Sequence, residues 1–452
     1  MKLTDLDRER GIGANCMFVE LGPFRLLVDS GMHPKRLGLD ALPRFNEVED
    51  GTVDFILLTH CHLDHIGSLP VAVRRHPTAQ VLCSLPSVSL GPRMLRNSCN
   101  VMGKQREELG IAEYPLFTFG EIARLEEKLM PMLFGQPRRF SVKGEELEIT
   151  FFAAGHVAGA AGIRLVYKHR AIFFTGDVLF RDQRILKGAA FPAQHFDTIV
   201  TETTRGATET LDDPTRAGEI ERFITVLRHT LERGGSVIVP VFAFGRMQEI
   251  LTLLLEARKQ RELPASPVFC SGLGLDLVDY FDVITRKTGL LHFRRQVLKE
   301  LKVRSLKKLI QPGRGLPEAG LYVVSSGMIV ENTPSYAAAA AAMRNPHNAI
   351  CFVGYCDPQT MGGRILATEA DEPLTFEALD YVVERRAHVE RFDLSGHADR
   401  EELADYALRG DPRTIVLTHG DPEARDWFMD KFTECAPKVR LHNPEPGVTV
   451  EV

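Results

Sequence analysis

The chain has 452 residues, too many for one ordinary core and comfortable for two or three domains. Its 44% hydrophobic and 25% charged residues are those of a globular protein, and a net charge of −5 excludes one that coats nucleic acid by bulk positive charge. No apolar run reaches about eighteen residues and the start MKLTDLDRERGIG has no leader-like apolar core, so no membrane span is expected and a cytoplasmic location is the default.

In chain order, CMFVEL and FRLLVDSG flank Gly22-Pro23 and predict a hairpin. TVDFILLTH follows, apolar almost throughout, as a strand buried on both faces should be. ELEITFFAAGH, RAIFFTGD and FDTIVTET come next as strands, then the amphipathic ERFITVLRHTLERG as a helix. GSVIVPVFAFG (strand), RMQEILTLLLEARKQ (helix) and LYVVSSGM (strand) continue the alternation, which reads as α/β. The alanine run Ala337–Ala342 predicts a tight helix, and AICFVGY and RTIVLTHGD are the last clear strands. The eight cysteines form no CxxC pair and read as free thiols, mostly buried.

Six apolar runs end in a residue able to bind a metal or move a proton: Asp29, His60, His156, Asp177, Glu202 and His419. Strand ends of an α/β sheet share a rim, and sites form there. The densest signal is His60-Cys61-His62-Leu63-Asp64-His65. On an extended segment His60 and His62 point one way and Cys61 the other, while Asp64 and His65 start the next helix. Imidazole and carboxylate suit a borderline cation such as zinc, although these ligands alone accept manganese as well. His156 lies among small residues in AAGHVAGAAG, which allow close backbone approach; a buried core histidine is its bland alternative. Asp177 reads as a carboxylate able to bridge two ions, or as a turn aspartate. Glu202 can orient a histidine and keep it protonated, and His397 in DLSGHAD can either cap the helix after it or donate a proton.

These residues together resemble the metallo-β-lactamase superfamily, and within it the β-CASP branch that includes ribonuclease J and the endonuclease subunit of the mRNA cleavage and polyadenylation machinery. GGSVIVPVFAFGRMQEIL, VVSSGMI, FVGYCDPQTMGGRIL and DLSGHADREEL carry the likeness across the chain. The resemblance implies an αββα sandwich from residues 1–208 and 366–452, with an α/β β-CASP domain at 209–365 inserted between them. It implies two zinc ions: one held by His60, His62 and His156, the other by Asp64, His65 and His419, with Asp177 between them. Asp29 would stand behind a ligand and fix its tautomer, and His397, held by Glu202, would be the general acid. Asp64, Asp29, Glu202 and His397 are thus the catalytic candidates.

The implied activity is hydrolysis of RNA phosphodiester bonds. A histidine at 419 points to RNA, since DNA-repair relatives typically carry an aliphatic residue there. The rivals are a DNA nuclease, a glyoxalase II-like hydrolase of a small ester or thioester, and a non-catalytic RNA-binding paralogue. The inserted domain argues against a small substrate, and the complete ligand set argues against a loss of catalysis. Arg205, where tyrosine is frequent, and Gly396, where alanine is frequent, depart from the pattern without removing a ligand. The backbone at Ser395 and Ala398 is expected to line a phosphate pocket. From Arg286 to Arg314 ten basic residues face the single acid Glu300, so Lys307 and Lys308 are candidate RNA contacts. A homodimer is left open.

Overall fold

The computed structural model describes residues 1–209, 215–306, 310 and 313–452. Two compact units divide the chain: Met1–Asp182, Gly188–Thr210 and His397–Val452 form the first; Gln183–Lys187 and Leu211–Gly396 form the second.

In the first unit the expected hairpin pairs Met17–Leu21 with Phe24–Val28 in antiparallel register across Gly22-Pro23. Phe55–Leu58, wholly buried, lies parallel to the second of these and to Gln80–Ser84, so each face and each edge of this strand is covered. These strands belong to a seven-stranded sheet that Lys2–Asp5 and Thr449–Glu451 extend at one end. A second seven-stranded sheet contains Glu145–Ala153, Ala161–Tyr167, Arg170–Phe174, Thr198–Glu202 and Thr414–Thr418, the last three mutually parallel. One apolar cluster joins the sheets, with Leu26, Leu57 and Leu82 from one and Ile149, Ile163 and Val200 from the other. Helices such as Leu85–Leu109 lie outside the first sheet, and Arg400–Arg409 and Pro422–Cys435 outside the second, giving the αββα sandwich.

The second unit is built on a six-stranded sheet, parallel in every pair: Val303–Ser305, Val268–Cys270, Leu321–Val324, Val237–Pro240, Ala349–Phe352 and His388–Arg391. The alanine helix, Pro334–Ala342, is buried nearly all round against Tyr322, Ile350 and Phe352. The return to the first unit falls at His397, not near residue 366. The physical reason is that His388–Arg391 adds to the second unit's sheet beside Ala349–Phe352. The cysteines are free thiols, seven of them buried and Cys435 exposed.

Candidate metal centre

Parallel strands carry the candidate ligands to one end of each sheet of the first unit. Asp29 follows Phe24–Val28 and His60 follows Phe55–Leu58. Asp177 follows Arg170–Phe174, Glu202 ends its strand, and His419 follows Thr414–Thr418. After His60 the chain stays extended to His62, then turns into the helix Leu63–Ile66, which carries Asp64 and His65. His156 sits beyond Glu145–Ala153 on a turn entered through Gly155, whose φ is +72°. A Cβ on Gly155 would stand 2.3 Å from the Leu179 carbonyl oxygen, so glycine is required there for approach as well as for its backbone angle.

Two sets of donors converge. His62 Nδ1 is 3.1 Å from both His60 Nε2 and His156 Nε2. Asp177 Oδ2 is 3.6 Å from His60 Nε2 and 3.7 Å from His156 Nε2. On the other side His65 Nε2 and His419 Nε2 are 3.2 Å apart, and Asp64 Oδ2 lies 3.3 Å from His419 Nε2. Asp177 Oδ1 faces this second set, 3.5 Å from His65 Nε2 and 3.3 Å from His419 Nδ1. The two oxygens of one carboxylate therefore address two different trios.

These seven residues fit a metal centre. All the donors are imidazole nitrogens or carboxylate oxygens, the chemistry a borderline divalent cation takes. Among the described residues Asp177 Oδ1 is buried with no hydrogen-bond partner, the condition of a ligand atom rather than a structural one. Burial opposes ionisation of Asp177 and Asp64, but the facing histidines, His419 and His65 for Asp177 and His65 first for Asp64, outweigh it and hold both carboxyls well below the usual range. Burial drives His60 down; for His65 and His419 burial is overcome by Asp177, and their pKa values rise.

Asp29 stands behind His65. Its Oδ2 is 2.7 Å from His65 Nδ1, and it accepts the Thr59 N–H and hydroxyl, each at 2.7 Å. With Nδ1–H spent, His65 presents Nε2 to the centre. Asp29 has φ +62°, an uncommon angle for a residue with a Cβ, held here by these bonds. Glu202 accepts the Val178 N–H at 2.6 Å and lies 3.0 Å from His397 Nδ1. Burial lowers the pKa of His397, but the Glu202 carboxylate more than offsets this and raises it. The His397 ring packs 4.4 Å from that of His156.

Three residues the sequence reading passed over complete the arrangement. Thr59 Oγ1 lies 3.2 Å from His60 Nδ1 while donating to Asp29. Asn15 donates its side-chain amide to Asp29 at 3.2 Å and its N–H to the Asp64 carbonyl at 2.9 Å. Thr204 joins Glu202 and His419. The hint in the sequence was the threonine beside His60, Glu202 and His419. Cys61 is buried against the Ser87 carbonyl and its thiol is pushed up to about 12 by burial, so it is no ligand.

The expected phosphate-binding backbone is differently employed. The Ala398 N–H is spent on the Val178 carbonyl at 2.6 Å and so cannot receive a phosphate. Ser395 belongs to the second unit, where its carbonyl accepts from Arg216 at 3.1 Å. Lys307 and Lys308 lie outside the described residues. The surrounding segment is less basic than its composition suggests, because acids from outside it pair with Arg286 (Asp282, 2.9 Å), Arg295 (Asp279, 3.1 Å) and Arg304 (Glu318, 2.8 Å).

Comparison with known families gives three matches: Metallo-beta-lactamase superfamily over residues 10–272, Beta-Casp domain over 247–365, and Zn-dependent metallo-hydrolase RNA specificity domain over 382–441. Ribonuclease TTHA0252 of Thermus thermophilus is 28% identical, covering 94% of this chain and 94% of its own. Transcription termination factor FttA of Pyrococcus abyssi is 26% identical over 99% of this chain and 70% of its own. The Integrator complex subunit 11 homolog of Dictyostelium discoideum is 25% identical over the whole chain, which spans 61% of that protein's length. A crystal structure of a protein of unknown function from Enterococcus faecalis shares the fold, with TM-score 0.53 and 12% identity, over 100% of this chain and 99% of that one. Among the described residues no helix is long and apolar enough to cross a membrane.

Proposed function

Because the chain belongs to the metallo-beta-lactamase superfamily and carries a Beta-Casp domain, we propose that it is a metal-dependent ribonuclease with two zinc ions as cofactor. The observation that carries this reading is the Asp177 carboxylate, with Oδ2 toward His60 and His156 and Oδ1 toward His65 and His419. In this reading His60, His62 and His156 hold one ion, Asp64, His65 and His419 the other, and Asp177 reaches both. Two such ions supply a water of lowered pKa and offset charge on the phosphoryl oxygens. Glu202 holds His397 through Nδ1, leaving Nε2 to give its proton to the departing oxygen. Asp29 keeps the His65 tautomer that exposes Nε2.

RNA is favoured as substrate by the match to an RNA specificity domain, whose residues 382–441 include both His397 and His419, and by the name of the Thermus thermophilus relative. Zinc is favoured over manganese by the same domain's description. The test is metal content by emission spectroscopy, followed by digestion of end-labelled RNA and matched DNA with and without chelator. Two zinc ions per chain and chelator-sensitive cleavage of RNA are expected. His62→Ala should cost more than the roughly 10–100-fold typical of a residue behind a ligand. Undiminished cleavage in chelator, or by His62→Ala, would end the reading.

A further inference from the structure

Thr204 makes two contacts that the catalytic assignment leaves unused. Its hydroxyl donates to Glu202 Oε2 in a short hydrogen bond, and its oxygen lies 3.1 Å from His419 Nδ1. The His419 carbonyl, at 3.4 Å, is a poorer acceptor for that one proton than a near, charged carboxylate. With its proton given to Glu202, the hydroxyl oxygen has lone pairs left, and Nδ1–H of His419, 3.1 Å away and so nearer to it than to Asp177 Oδ1 at 3.3 Å, can fill one. Both contacts are buried: Thr204 is 8% exposed, His419 4% and Glu202 2%.

The consequence is a tautomer. A proton held on Nδ1 leaves the Nε2 lone pair of His419 directed at Asp64 and His65. The same device stands on the other side of the centre, where Thr59 lies 3.2 Å from His60 Nδ1 and donates to Asp29. The backbone is arranged to hold Thr204 in place. The Thr203 N–H donates to the His419 carbonyl at 3.0 Å, and its hydroxyl to the Thr418 carbonyl at 3.0 Å. A Cβ on Gly420 would fall 2.2 Å from Thr203 Oγ1, so the two loops meet at glycine distance. His419 itself is held at φ +47°.

We propose that Thr204 is a positioning residue that links the two halves of the centre: it fixes His419 for the second ion and at the same time braces Glu202, the partner of His397. The proposal rests on the two-ion reading above. Its chemistry predicts that the hydroxyl, and not the methyl group, matters.

The experiment compares Thr204→Val, which keeps the shape, with Thr204→Ser, which keeps the hydroxyl. Metal-free protein is titrated with zinc by calorimetry, and His419 is read in the loaded protein by long-range ¹⁵N–¹H correlation of its ring. Thr204→Val should keep the tighter ion and bind the weaker one about 10–100-fold less well. Its His419 should lose the single Nδ1–H signature, and Thr204→Ser should restore both readouts. Two ions bound by Thr204→Val as tightly as by the parent, with an unchanged His419 spectrum, would overturn the bridge while leaving the two-ion reading standing. A parent chain that takes up only one ion would overturn both. Coincident melting curves for the metal-free Val variant and the metal-free parent exclude misfolding as the cause of a difference.

Discussion

At the scale of single residues, the chain separates what binds from what steadies. His397→Asn should lower kcat about 10²–10⁴-fold, with zinc content and KM little changed, because the ring is proposed to move a proton and not to hold an ion; loss of an ion in that variant would reassign it as a ligand. A second expectation concerns Asp7. It is 5% exposed, accepts the Arg8 N–H at 2.7 Å, and is pushed up from 3.8 to about 6, first by burial and then by the charge of Asp5. The folded chain therefore holds this proton more tightly than the unfolded one. Stability is fully present below pH 3.8 and declines as pH rises toward 6, then levels. Asp7→Asn should raise stability above pH 6 by at most on the order of 3 kcal/mol and leave it unchanged near pH 3.5; equal denaturation midpoints at pH 8 would refute this. The candidate ligands could be picked out because most of them stand just after an apolar strand run. Thr59, Asn15 and Thr204 were not legible, because the partners Asp29, Asp29 and His419 stand 30, 14 and 215 positions away, and a hydroxyl or amide carries no mark of what it will meet.

At the scale of elements, apolar runs named the strands whose faces are both covered, and failed where an element is short or breaks propensity. Lys2–Asp5 and Thr449–Glu451 are short strands near one end of a sheet and show no clear alternation. The helix Leu85–Leu109 holds Gly91, Pro92 and Gly103 in its interior, so local preference argues against it, and packing of Leu90, Leu95, Cys99 and Met102 prevails. The alanine helix was legible, but its purpose was not. Ala338, Ala339, Ala340 and Ala342 are fully buried, so the run is small because the helix lies close on its sheet, not because alanine favours helix. Ala339→Leu should overfill this space and cost about 1–3 kcal/mol in chemical denaturation, more than the small difference in helix propensity between alanine and leucine accounts for. An undiminished midpoint would show room that the packing does not.

At the scale of the whole molecule, the chain builds two cores, one between two sheets and one on a parallel sheet, and the candidate ligands belong to the first alone. Zinc should therefore protect the first unit selectively. In hydrogen exchange, peptides covering Phe55–Leu58 and Thr414–Thr418 should gain protection on zinc loading, by about 2.7 kcal/mol at a hundred times Kd, while Val237–Pro240 and Leu321–Val324 change little. Equal gains in both units would show that the ions stabilise the chain as one body. Where the second unit's sheet ends was not legible in the sequence, because His388–Arg391 carries no sign of which sheet it will join. The order of the units along the chain has a consequence for synthesis. Six of the seven candidate ligands are made before the second unit begins in earnest, and His419 is made after that unit is finished. A ribosome partway through the message thus carries a chain that can gather one trio but not the other. Whatever cutting power this centre has is withheld from its own template until the second unit has been made.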